Sequence, residues 1–74
     1  MEIREAYETD LLNIKKVAEN SWRDTYMNIL SKVSIEKFLS MAYNLDMLRE
    51  RFYTSIFYVA LVDGEVCGFI LVNR

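Results

Sequence analysis

The fold is decided by Ile56-Phe57-Tyr58-Val59-Ala60-Leu61-Val62, then Asp63-Gly64-Glu65, then Val66-Cys67-Gly68-Phe69-Ile70-Leu71-Val72. Two β-branched and aromatic runs flank an Asp-Gly pair. A type I′ turn favours this pair because both of its central residues need a positive φ. The sequence therefore predicts an antiparallel hairpin that turns at Asp63-Gly64.

The pairing predicted outward from this turn is regular, with Leu61 opposite Val66 and Ala60 opposite Cys67. One face then carries Phe57, Val59, Leu61, Val66 and Ile70, and the other carries Ile56, Tyr58, Ala60, Cys67, Phe69 and Leu71. Both faces are apolar, so the hairpin needs cover on both sides. In this register Cys67 is a small buried residue rather than a nucleophile. Gly68 indicates either simple packing or room for a ligand.

The residues before the hairpin predict one strand and three helices. Residues 1–6 predict an edge strand, and Thr9 is a candidate N-cap with Asp10 in the first helical turn. Leu11, Ile14, Val17, Ala18, Ser21 and Trp22 form an apolar stripe of helical period. Residues 22–26 either continue this helix or bend away from it.

The second and third helices follow a connection over residues 27–33. Ser34 and Asn44 are their candidate N-caps. The predicted order is β-α-α-α-β-β. We therefore expect an α+β fold, a three-stranded antiparallel sheet with its helices on one face.

The composition excludes several classes of protein. The chain has 74 residues and a hydrophobic fraction of 53%. Its net charge of −2 and its pI near 5.0 are unlike those of a nucleic-acid-binding domain, which is usually basic. Its longest apolar run is too short to span a membrane, and its N-terminus is unlike a signal peptide. We expect a single cytoplasmic domain without nucleic-acid or membrane partners.

The absence of histidine removes Ser-His and Cys-His catalysis and the common zinc sites, so we expect no metal. The carboxylates Glu36, Asp46 and Glu50 are expected on solvated helix faces. Trp22, Asp24 and Tyr26 form a compact polar and aromatic group between helices. This group indicates either a binding pocket or the end of the helical core.

In their order and spacing, several segments resemble the first half of a GNAT-family (Gcn5-related) N-acetyltransferase. They are Ile3-Arg4-Glu5-Ala6, the helix start at Asp10, residues 21–26, Phe57-Tyr58-Val59-Ala60 and residues 63–70. The resemblance implies a sheet flanked by helices and transfer of an acetyl group from acetyl-CoA to an amine. It also places Trp22, Asp24 and Tyr26 on the amine-acceptor side.

The family's glycine-rich pyrophosphate loop, which follows a fourth strand, has no counterpart in this sequence. We therefore expect residues 1–74 to be an incomplete domain, the N-terminal half of a GNAT-like domain, that holds no catalytic residue, does not bind acetyl-CoA and is inactive alone. The expected partners are a small-molecule or protein amine and a second copy, bound through the Val66–Val72 edge or an uncovered sheet face. The alternative is a stand-alone, non-catalytic α+β dimerisation module.

Overall fold

The hairpin forms where the sequence predicts it. A computed structural model describes residues 1–73 and contains β2 (Ser55–Val62) and β3 (Glu65–Asn73), joined by a two-residue turn. Asp63 has φ 53° and Gly64 has φ 81°, so both central residues lie in the left-handed region that a type I′ turn requires.

A third strand, β1 (Glu2–Glu5), completes the sheet. It pairs antiparallel with β2, with Ile3 opposite Ala60, and the strand order is β1-β2-β3. The predicted α+β class and three-stranded antiparallel sheet are confirmed.

The predicted pairing within the hairpin is wrong beyond the first residues after the turn. Leu61 pairs with Val66, but Ala60 pairs with Gly68, so Cys67 is an extra residue in β3 and forms a bulge. One extra residue exchanges the faces of every residue after it. Phe69 and Leu71 therefore lie on the face of Phe57 and Val59, and Ile70 lies on the opposite face with Tyr58.

The three helices are α1 (Leu11–Tyr26), α2 (Lys32–Ala42) and α3 (Leu45–Thr54), and a 3₁₀ turn over Glu8–Asp10 precedes α1. Residues 22–26 continue α1, which decides between the two alternatives left open by the sequence. Thr9 is not the N-cap of α1, because it lies inside the 3₁₀ turn and Asp10 holds the capping position.

Two further helix starts test the predicted caps. The cap of α2 is Ser31 rather than Ser34, since the Ser31 hydroxyl accepts a hydrogen bond from the Ser34 N–H at 3.1 Å. The helix therefore begins three residues earlier than predicted. Asn44 is confirmed as the cap of α3, where its side-chain oxygen accepts from the Met47 N–H at 2.9 Å.

Asp10 ties the end of β1 to the start of α1. Its carboxylate accepts hydrogen bonds from both terminal nitrogens of Arg4, at 2.8 and 3.3 Å, and from the Tyr7 N–H at 2.7 Å. The Arg4 guanidinium also lies 4.4 Å from the centre of the Tyr7 ring. Asp10 is buried, so this closely bonded partner offsets the cost of removing its charge from water.

The helices cover one face of the sheet. Helix α1 packs on β3 and α3, α3 packs on β2, and α2 packs on α1. The main core consists of Ala6, Leu11, Ile14, Leu48, Phe57, Val59 and Leu61. The opposite face of the sheet, here called the outer face, carries the exposed side chains of Ile3, Tyr58, Val62, Ile70 and Val72. Within residues 1–73, no helix combines the length and apolarity needed to cross a membrane.

Candidate functional site

Helix α1 and the edge strand β3 border a cleft of about 430 Å³, here called the α1–β3 cleft. It is lined by Val17, Ala18, Ser21, Trp22, Tyr43, Cys67, Gly68 and Phe69. Four of these residues come from one face of α1, three come from β3, and Tyr43 follows the end of α2. The cleft thus lies where the helical layer meets the free edge of the sheet.

Several of the residues that line this cleft are small, among them Ala18, Ser21 and Gly68. Residues 17 and 21 lie one helical turn apart, and so do residues 18 and 22. The four residues therefore share one face of α1. No atom lies within 4 Å of the position that a Cβ of Gly68 would take, and that position is on the outer face, since Gly68 pairs with Ala60. This observation favours the second of the two alternatives for Gly68, room for a ligand, but on the outer face rather than in the α1–β3 cleft.

Trp22 is held between two other aromatic rings. Its ring centre lies 4.3 Å from that of Tyr26 and 4.2 Å from that of Phe38. Tyr26 lies one turn further along α1, and Phe38 comes from α2. Tilted aromatic pairs at such distances add to the stabilisation from buried area and fix ring orientation. The stack therefore positions the Trp22 ring at the wall of the cleft.

The three residues predicted as a binding group do not all meet. Trp22 lines the α1–β3 cleft and Tyr26 lies directly behind it. Asp24 is exposed, and it is about 200° around the helix from Trp22 because α-helices have 3.6 residues per turn. The structure brings Trp22 and Tyr26 together and leaves Asp24 outside the cleft. Its binding role stays a prediction.

Sequence reasoning missed Phe38 and the position of Cys67. Phe38 belongs to the apolar stripe of α2, but only packing of α2 against α1 brings it to Trp22. Cys67 is exposed rather than buried, because the bulge removes it from the regular ladder. Its thiol lies 3.4 Å from the Ala60 carbonyl oxygen, to which it donates a weak hydrogen bond.

The lining of the α1–β3 cleft is uncharged, unlike that of a second cleft between α1 and α2. That second cleft, of about 410 Å³, contains Arg23, Lys32 and Glu36. Arg23 donates two hydrogen bonds of 3.0 Å to Glu36, which raises the pKa of Arg23 and lowers that of Glu36. Glu36 lies on the surface, as predicted, with 41% of its side chain exposed, and there it pairs with Arg23.

The described residues do not fit a metal or the pyrophosphate of acetyl-CoA. Within residues 1–73, no group of three cysteine or carboxylate side chains lies close enough together to hold a metal ion. A pyrophosphate site normally uses the free N–H groups of a helix N-terminus. Here Glu8 and Asp10 bring negative charge to the start of α1, Asp46 does so in α3, and Ser31 and Asn44 already cap α2 and α3.

The β-α-α-α-β-β order and the three-stranded antiparallel sheet with helices on one face define an α+β chain. Comparison with protein-family models gives no match, and comparison with curated proteins gives none either.

Comparison with solved structures gives matches, and one of them is similar over almost the whole chain. It is the crystal structure of the PaiA N-acetyltransferase from Thermoplasma acidophilum in complex with coenzyme A, with a TM-score of 0.88 and 29% sequence identity. The match covers 97% of this chain and 49% of that chain, so this chain spans about half the length of the relative. The resemblance to the N-terminal portion of a GNAT-family N-acetyltransferase is confirmed.

Proposed function

We propose that this chain forms the amine-acceptor side of an acetyl-CoA-dependent N-acetyltransferase and has no activity alone. The α1–β3 cleft is the observation that carries the proposal, in a chain that matches half of an N-acetyltransferase over 97% of its own length. The acetyl donor, when bound by a complete domain, supplies the thioester. Because residues 1–73 do not fit its pyrophosphate, we assign donor binding to other residues. The single cysteine fits the cytoplasmic location that the sequence predicts.

The cleft suits a neutral amine, the form that attacks a thioester. Its lining residues carry no charge, so the cleft offers no carboxylate that would favour the charged form of the amine. The ring of Trp22 offers an apolar surface for the body of the acceptor. The hydroxyls of Ser21 and Tyr43 can accept hydrogen bonds from its N–H groups. Tyr26 and Phe38 hold the Trp22 ring in place, which orients the acceptor and limits its motion.

The chain contains its own reporter for acceptor binding, since Trp22 is its single tryptophan. We would titrate the chain with benzylamine above the pKa of that amine and follow Trp22 emission, with benzyl alcohol as the matched ligand control. The expected result is a saturable change in emission that is stronger for the amine. No saturable change would contradict the proposal.

Two variants of α1 test where the amine binds. Ser21→Leu fills the α1–β3 cleft and is expected to abolish the change in emission. Asn20→Leu places the same side chain on an exposed position of the same helix outside that cleft, and we expect normal binding. Equal binding by the two variants would show that the amine does not occupy the cleft.

The expected inability to bind acetyl-CoA has a separate test. Calorimetric titration of the chain with acetyl-CoA is expected to give no binding, because the helix N-termini described above are capped or acidic. A dissociation constant in the low micromolar range, or about −8 kcal/mol, would contradict this assignment.

A second candidate function is a non-catalytic interaction module. The exposed apolar side chains of the outer face favour it. Benzylamine binding that is lost in Ser21→Leu would support the acceptor side over this alternative.

A further inference from the structure

Two side-chain contacts join α1 to α2 at adjacent positions. The ring centre of Trp22 lies 4.2 Å from that of Phe38, and the neighbouring Arg23 donates two hydrogen bonds of 3.0 Å to Glu36. One contact is aromatic and the other is ionic, but both connect the last two turns of α1 with the middle of α2. They therefore constrain the same segment of α2.

The two contacts lie on opposite sides of the buried stripe of α2. That stripe consists of Ile35 and Leu39, the buried residues of this helix. At about 100° per residue, Glu36 lies about 80° to one side of the stripe and Phe38 about 80° to the other. Apolar burial is non-directional, so the stripe alone would let α2 turn about its axis. Contacts on both sides resist that rotation in either direction.

The stack between Trp22 and Phe38 needs this support because it lies at the surface. Phe38 is 40% exposed, so the surrounding core does not enclose its ring. A small rotation of α2 would move this ring across the face of Trp22 and out of the tilted arrangement that aromatic pairs favour. The position of the Trp22 ring therefore depends on the orientation of α2 as well as on the packing within α1.

The pair formed by Arg23 and Glu36 has the geometry needed to fix that orientation. Nε and Nη2 of Arg23 each donate to a different carboxylate oxygen of Glu36. Two parallel bonds between planar groups fix direction as well as distance. The pairing raises the pKa of Arg23 and lowers the pKa of Glu36, so both groups keep their charge at the alkaline pH at which benzylamine is neutral.

We propose that Arg23 and Glu36 are positioning residues for the α1–β3 cleft, where they hold Phe38 against Trp22 and so set the affinity for the acceptor amine. This inference deepens the proposed function and rests on it. Neither residue of the pair lines that cleft, since both line the second cleft between α1 and α2. A change at Glu36 therefore removes no contact with the amine, and its effect on binding passes through the Trp22 ring.

The first test follows Trp22 without any ligand. Because Trp22 is the single tryptophan, time-resolved fluorescence anisotropy reports the motion of its ring alone. Glu36→Gln keeps the size of the side chain and removes its charge, and it should increase the amplitude of the fast ring motion. Glu50→Gln makes the same change at an exposed position of α3 and should give the wild-type decay. Unchanged ring motion in Glu36→Gln would overturn the proposal, whether or not the chain binds an amine.

A second variant tests whether the two residues act as a unit. Arg23→Met keeps an extended side chain but removes its N–H donors, and it should change the ring motion as Glu36→Gln does. The double variant should change the motion no further than either single variant, because each of these already removes the interaction. Additive effects would show that each residue acts on the ring separately, which would overturn the paired role.

Calorimetric titration with benzylamine then connects the ring position to affinity. With an unchanged circular dichroism spectrum, Glu36→Gln should bind benzylamine about two- to fivefold more weakly than the wild type, the loss expected for a surface ion pair of good geometry. Glu50→Gln should bind it normally. Binding by the wild type with equal affinity in Glu36→Gln would overturn this inference and leave the proposed function standing. No binding by the wild type would instead overturn the proposed function, on which this inference rests.

Discussion

The two faces of the sheet have similar composition but different surroundings. On the helix-covered face, Phe57, Val59 and Leu61 are at most 7% exposed. On the outer face, Tyr58 is 38% exposed and Val62 is 48% exposed, although both belong to the same strand as the first three. Apolar character alone therefore does not decide burial, which depends on whether another element covers the residue. The helix-covered face should therefore contribute more to the stability of the chain than the outer face.

The largest expected difference between the two faces is in the cost of losing a side chain. Val59→Ala should lower the free energy of unfolding by about 2–3 kcal/mol, because Val59 is fully buried and the truncation leaves a cavity. Val62→Ala removes the same atoms from the outer face and should change it by less than about 0.5 kcal/mol. Urea denaturation of the two variants measures both values. Similar losses would show that the outer face is covered in solution.

The second prediction concerns the two sides of β1, where Ile3 is exposed and Arg4 is bound to Asp10. Asp10→Asn should lower the free energy of unfolding at neutral pH by roughly 1–2 kcal/mol, since it removes a charge-assisted pair at a buried position. Ile3→Ala, 65% exposed in the wild type, is the control and should have little effect. Urea denaturation again gives the comparison.

The same pair sets a dependence on pH. The hydrogen bond from Arg4, and then that from the Tyr7 N–H, lower the pKa of Asp10 below its ordinary value of 3.8, against the opposing effect of burial. A carboxylate with a lowered folded pKa stabilises the fold above its unfolded pKa, and this stabilisation is lost as the pH falls through the folded value. Unfolding measured from neutral pH to below about pH 3 should show a steeper loss for wild type than for Asp10→Asn. Parallel curves would contradict this assignment.

A smaller effect separates the two glycines of the hairpin. Gly64 has φ 81°, so Gly64→Ala should cost about 1 kcal/mol in a conformation that side chains disfavour. Gly68 lies in the strand with open space at the Cβ position, so Gly68→Ala should stabilise the monomer by about 0.5 kcal/mol through lower entropy of the unfolded chain. Thermal unfolding of both variants measures the difference. A loss of stability in Gly68→Ala would show that the space is filled.

The smallest expected effect is at Cys67. Because the thiol is exposed, Cys67→Ser should change the free energy of unfolding by less than about 0.5 kcal/mol, and a thiol reagent should label Cys67 without denaturant. Measured beside Val59→Ala, this variant distinguishes the bulge from a regular ladder. If Cys67→Ser lowers the free energy of unfolding about as much as Val59→Ala, and Cys67 is not labelled in the folded state, then Cys67 is buried, as the regular register predicts.

The sequence by itself determined the elements whose cause is local. The Asp63-Gly64 turn needs only two residues that accept positive φ, and α1 needs only an apolar stripe of period 3.6. The cap of α3 was predictable because the Asn44 side chain reaches an N–H three residues away. The order of strands and helices follows from these local signals and led to the correct fold class.

Tertiary structure decided what depends on residues far apart in the chain. The bulge at Cys67 reverses the faces of Phe69, Ile70 and Leu71 relative to a regular ladder. Gly68 is a local sign of a bulge, but the glycine alone does not determine which residue of β3 is left without a partner in β2. Phe38 reaches Trp22 only because α2 folds back on α1. Hydrophobic burial is non-directional, so a pattern of apolar residues leaves several packings open, and only contacts across the whole chain select one of them.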